Sequence, residues 1–234
     1  MEKTTEFTLN VWHEIDRSPR IEREMSKEMW AEYRSNMDAL TAEMRAQACE
    51  FEADDKYYML LTERSTVSRV KLNMPLQNSQ KFSEIPYRAV NSTSKKTIAT
   101  SGNFPLVTKE VLEHFGKSIS LKDLIRIALY GDWIAPEGGT YWHFIDTVCY
   151  AYHLNCKRIS MLSDVLQTLQ HGDGIVIVLL ANKLFPNGFG RHLAVVRGVV
   201  KGKVIMQSTS KVGYESVTLK EFFENCDVIW SICD

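Results

Sequence analysis

The chain has 234 residues, with 28 Lys and Arg against 29 Asp and Glu, so its formal charge is −1. A balance this close to neutral gives no general pull toward nucleic acid or an anionic membrane. At 44% hydrophobic and 24% charged, the composition is that of a soluble globular protein. No run reaches the roughly 18 apolar residues that a membrane span needs. The first ten residues alternate charged and apolar character without a signal-peptide core, which predicts a cytoplasmic protein. The cysteines, at 49, 149, 156, 226 and 233, are odd in number and lack framework spacing, so they read as reduced thiols.

All 12 glycines lie at or after Gly102, and charge is denser ahead of it, with 31 charged residues in the first 101 against 26 in the remaining 133. In the front part, residues 6–15 alternate Phe7, Leu9 and Val11 and read as a strand. Ser18-Pro19 has the chemistry of a helix start. Ile21, Met25, Met29, Tyr33, Met37, Leu40 and Met44 then form one stripe, predicting a helix over 19–50. That stripe either packs on its own domain or meets a protein partner or a second copy, and its methionines suit either role. Residues 57–61 and 67–72 read as a strand pair around Glu63-Arg64-Ser65, with helix as the alternative because no glycine forces the turn.

The back part opens with four helical patterns, over 104–115 (stopped by Gly116), 121–130, 141–152 and 162–169. Residues 174–181 form a β-branched run typical of a buried strand, and 192–200 and 203–206 flank a Lys201-Gly202 hairpin turn. Thr218 and Glu221 have capping-box spacing for a short helix, after which 227–232 closes the sheet. Helices followed by an antiparallel sheet make an α+β fold.

The segment Thr97-Ile98-Ala99-Thr100-Ser101-Gly102-Asn103-Phe104-Pro105 resembles the nucleophile segment, T-I-A-x-S-G-C-G-P, of the bacteriocin-processing double-glycine cysteine peptidases and their papain-like relatives. Gln77 with Phe82 and Pro86-Tyr87 is similar to that family's Q…W-x-x-x-P-Y region, whose glutamine serves the oxyanion hole. Gly138-Gly139-Thr140-Tyr141-Trp142 is similar to its G-G-T-S-W turn. Gly190-Arg191-His192 through Gly198 resembles the strand bearing its catalytic histidine. Lys203 to Ser208 falls where the family has K-V-x-V-N-D-P, whose aspartate orients that histidine. The likeness runs from about residue 72 to the end. It implies a papain-like domain over 73–234, helices packed on an antiparallel sheet, preceded by an extension over 1–72.

Two of the three catalytic positions differ from the family. Asn103 stands where the nucleophilic cysteine belongs, and a carboxamide cannot form an acyl-enzyme. Asparagine is a good helix N-cap, which gives Asn103 a structural reading. Ser208 replaces the aspartate, leaving Gln207, one residue earlier, as a hydrogen-bond partner for the His192 ring. The resemblance with these departures implies a catalytically inactive protein that binds a protein partner or ligand. An intracellular inhibitor or sequestering protein of bacterial or phage origin would fit.

Gln77, Asn103, Trp142, His192 and Gln207 are the candidate cleft residues, with Phe189 from a 182–191 loop that reads either as a lid over the cleft or as an ordinary exposed loop. Two other readings stand beside this one. One is an active hydrolase or transferase that pairs His192 with a non-standard nucleophile. The other is a small-ligand binder that uses Asn103 and His192 as polar contacts. Cys149 falls mid-helix, a packing position. His143, Cys149, His153 and Cys156 include an i, i+4 pair, but His143 projects from the other side of the helix, so neither a metal nor a cofactor is expected.

Overall fold

The computed structural model describes residues 27–53, 62–63, 66–89, 92–135, 138–181, 184, 191–210 and 212–234. The expected strands at 6–15 and 57–61, the Ser18-Pro19 helix start and most of the 182–191 loop, Phe189 included, lie outside these residues. The described chain is α+β, with eight helices and a seven-stranded antiparallel sheet. It divides into two compact units that interleave in sequence. Gln77–Leu154 belongs to one, and Glu32–Leu76 with Asn155–Asp234 forms the other.

The first unit is helical. It contains α2 (Gln80–Ser83), α3 (Ile98–Ser101), α4 (Asn103–His114), α5 (Leu121–Tyr130) and α6 (His143–Ala151). Gly116 at φ +70° stops the chain just past α4, a conformation in which a side chain would be strained. Ser120 caps α5 by accepting from the Asp123 amide. α4 packs against both α5 and α6, and Leu106, Val107, Leu112, Leu124, Ile127 and Phe144 are buried.

The second unit holds the sheet. Its strands are β1 (Thr66–Val67), β2 (Asn155–Ile159), β3 (Ile175–Ala181), β4 (Arg191–Val200), β5 (Lys203–Ser208), β6 (Glu215–Thr218) and β7 (Cys226–Cys233). They run in the order β2-β7-β3-β4-β5-β6, and β1 pairs with the far end of β4. The expected strand at 67–72 is thus only two residues long, and it pairs with β4. The last strand does not close the sheet either, since β7 lies between β2 and β3. Two polar strands, β2 and β6, were not apparent as strands from hydrophobic pattern. Lys201 and Gly202, at φ 49° and 70°, make the expected tight turn between β4 and β5.

Three helices of this unit, α1 (Lys27–Ala53), α7 (Leu162–Gln170) and α8 (Leu219–Asn225), cover one sheet face. Met44, Ala48 and Phe51 of α1 join Val165, Leu169, Phe222 and Phe223 against Val176, Val178, Ala194, Val196, Met206 and Ile229. The C-terminal part of the long helix is therefore a core element of the sheet unit, spaced i, i+4, i+7 as an apolar stripe requires. Met37 and Leu40 are half-buried. Thr218 and Glu221 form the expected capping box at the start of α8.

Candidate functional site

Gly102 joins α3 to α4. Its amide closes α3 on the Ile98 carbonyl at 2.9 Å, and it occupies the cap position of α4. A Cβ at Gly102 would stand 2.5 Å from Ile98 Cδ1 and 2.7 Å from Ile98 Cα. The need for glycine here is steric, because its φ of −93° is open to any residue. Gly102→Ala is expected to cost about 1–3 kcal/mol through overpacking, measured by denaturant unfolding. A loss below about 0.5 kcal/mol, the ordinary range for surface changes, would contradict this steric account.

Asn103 is the first residue of α4, buried at 6% exposure, and not its cap as expected from sequence. No side chain caps this helix. Gln77, also buried, donates its amide N–H to the Ile98 carbonyl at 3.1 Å, the oxygen that also receives the Gly102 amide. Gln77, Gly102 and Asn103 thus converge on one turn. Thr97 and Thr100 brace it from below with reciprocal side chain–backbone bonds.

Two further segments singled out in the sequence meet here. Residues 85–87 and 96–98 pair through Tyr87 N–H to Lys96 O and Ile98 N–H to Ile85 O, both 2.9 Å. Tyr87 is fully buried, and its hydroxyl lies 2.6 Å from Thr140 Oγ1 of the Gly138-Gly139-Thr140 turn. Burial pushes its pKa far above the usual value, so it is a neutral phenol at any ordinary pH. Gly138 and Gly139, at φ +100° and +91°, need glycine for their backbone.

Trp142 occupies the cap position of α6 and stacks on His143 at 3.7 Å between ring centroids, with Trp133 stacked 6.1 Å from the same imidazole. Sequence reasoning missed both this aromatic stack and the Tyr87–Thr140 bond. Only the proximity of Trp142 and His143 in sequence hinted at the first.

His192, Gln207 and Ser208 belong to the sheet unit. His192 is the second residue of β4 and lies opposite Leu180 of β3. Burial lowers its pKa to about 4, so the imidazole is neutral at pH 7. Ser208 lies opposite Ala194, two residues on from His192, so the pleat gives His192 and Ser208 the same face. Ser208 Oγ is 2.6 Å from Ser210 Oγ. Gln207 lies opposite Val195 and takes the other face, a register that does not carry its amide to the His192 ring.

The remaining candidates resolve simply. Cys149 is buried within α6, as its mid-helix position predicts. His153 lies beyond the last residue of α6 with φ +57°, so it shares no helical face with Cys149. Among the described residues, no group of three or more His, Cys, Asp or Glu side chains is placed to hold a metal. No described helix is long and apolar enough to cross a membrane. Compared with family models and with curated proteins, the chain matches none.

Proposed function

We propose that this protein is a catalytically silent, papain-like relative of the double-glycine peptidases that acts by binding a protein partner or ligand. The observation that carries the reading is Asn103, a buried carboxamide at the first position of α4, beside Gly102 and Gln77. Cysteine peptidases put a thiol at such a helix start, where the dipole and a histidine lower its pKa. A carboxamide there offers no nucleophile. His192 adds support, because an imidazole depressed to about pH 4 is the reverse of the imidazolium a thiolate needs. The histidine face carries Ser208, which has no charge to hold that imidazolium.

A cysteine-directed covalent peptidase probe tests this on the full chain. The wild-type protein is expected to stay unlabelled. Labelling of the wild-type chain that depends on His192 would establish an active enzyme and overturn the proposal. Partner capture belongs with the full chain as well. Deleting residues 1–72 would remove Met44, Ala48 and Phe51 from the core, so loss of capture by that truncation would report unfolding.

A further inference from the structure

A buried guanidinium is costly unless a carboxylate or a full set of acceptors meets it. Arg197, only 8% exposed, is the extra residue where β4 bulges between Val196 and Gly198. The bulge is held open on its other edge by Gly198, whose missing Cβ would stand 2.8 Å from the Thr66 carbonyl of β1. Arg197 Nη2 donates to the Val70 carbonyl, and the Tyr214 phenol hydrogen-bonds the guanidinium. Nη1 is buried with no acceptor among the described residues, and no carboxylate there pairs with it. Burial accordingly draws the Arg197 pKa below its usual value.

A second orphan lies on the same sheet face. Gln207 Oε1 is buried without a hydrogen-bond partner, and Gln207 sits opposite Val195, two residues before Arg197. Glu215 lies opposite Met206, so Tyr214, one residue earlier, comes beside Gln207. Tyr214 is 60% exposed and follows Gly213, which adopts φ +95° with open space around it.

We propose that Arg197, Tyr214 and Gln207 form a binding site for a carboxylate, from a small organic acid or from a peptide. The planar guanidinium fork matches the two oxygens of a carboxylate. The Tyr214 hydroxyl, accepting from Arg197, keeps its own proton to donate. Turning the Gln207 amide by 180° presents its NH2 in place of the orphaned oxygen. One buried cation balances a carboxylate, whereas a phosphate dianion would bring a second charge into a desolvated site. This site is independent of the peptidase resemblance and stands if that reading fails.

The test is a titration of the full chain with sodium acetate against sodium chloride at equal ionic strength. It is read from the Arg197 Nε–H and Gln207 side-chain amide resonances. Acetate is expected to give saturable shifts that chloride does not. Tyr214→Phe, which keeps the exposed ring, should weaken acetate by about 5–10-fold, the worth of one hydrogen bond. Arg197→Gln should abolish the response, but it also removes a buried bond to Val70, so Tyr214→Phe is the deciding variant. A peptide with a free C-terminus that saturates at lower concentration than acetate, while its amidated form does not, would identify a peptide terminus as the source. Equal affinity for the free peptide and acetate would identify a small acid. The proposal is overturned by an acetate response equal to that of chloride or one unchanged in Tyr214→Phe. Saturation by inorganic phosphate in preference to acetate overturns it too, as does a direct Arg197–Gln207 hydrogen bond indifferent to acetate.

Discussion

Replacing Gln47 by alanine is expected to destabilise the protein by about 2–4 kcal/mol, more than any surface change on the same helix. Gln47 is 5% exposed on α1, one residue before Ala48 in the core stripe. Its Nε2 donates to the Ser160 carbonyl at 3.0 Å, and its Oε1 accepts the Leu162 amide at 2.9 Å. Leu162 opens α7, and the side chain at that cap position, Met161, accepts no bond from the helix amides. The first turn of α7 is thus capped from a different helix, more than a hundred residues away in sequence. Alanine would leave a buried amide and a buried carbonyl unpaired, and each such group costs about 1–3 kcal/mol.

Gln47→Glu keeps the acceptor, loses the donor and brings a charge, so its loss should be no smaller than about half that of alanine. The measurement is the urea midpoint at constant m-value. A shift worth less than about 0.5 kcal/mol would mean that water replaces both bonds at no cost and that α1 does not cap α7. The same geometry limits any partner of α1. From Met44 to Phe51 the apolar stripe is already spent on the sheet, so that stretch of it is closed to a partner.

Elements written in local chemistry were the ones legible in the sequence. Gly116 stops α4 because only glycine sits easily at its positive φ, and Thr218 with Glu221 caps α8 by a spacing that needs no tertiary partner. The β-branched run of β3 is buried on both faces and reads as a strand from hydrophobicity alone. β2 is a sheet-edge strand with Asn155, Lys157 and Arg158 among its five residues, so alternation is weak and pattern missed it. Residues 68–72 have strand-like composition, but the ladder with β4 stops at Val67, and Ser68 adds only a single amide bond to the Arg197 carbonyl. Sequence also could not say where the α1 stripe docks.

In the candidate site, hydrogen bonds at Ile98 and Tyr87 tie together the segments that carry Gln77, Tyr87, Gly102 and Thr140. Asn103 sits one position inside the helix from the cap that its residue type suggests. A cap and a first helical residue differ only in backbone geometry, which composition does not encode. Arg197 carries no signal in the sequence, since what sets it apart is a buried Nη1 with no acceptor among the described residues.

Acidification should unfold the protein partly through His192. Burial holds its folded-state pKa at about 4, against 6.5 for an ordinary histidine. Between these values the unfolded chain binds a proton that the folded chain refuses, so stability rises with pH. The contribution is fully present above about pH 6.5 and is lost progressively as pH falls toward 4, amounting to at most about 3 kcal/mol. The neighbouring Arg191 is engaged with Asp227 at 2.5 Å, and Leu180 lies directly across the ladder, so neither supplies an anion to the ring. His192→Gln, which cannot be protonated, should therefore flatten the stability profile across this window while changing little at pH 7.5. Glu221 acts lower on the scale. Hydrogen bonds from Thr218 depress its pKa, so its stabilisation disappears below the ordinary carboxylate range and leaves the His192 window clear. Urea midpoints of both proteins from pH 7.5 to 4 decide the matter. Parallel profiles would show that His192 accepts its proton as readily in the folded chain as in the unfolded one. In that case its environment would still be able to support the imidazolium that catalysis demands, and the argument for a silent site would then rest on Asn103 alone.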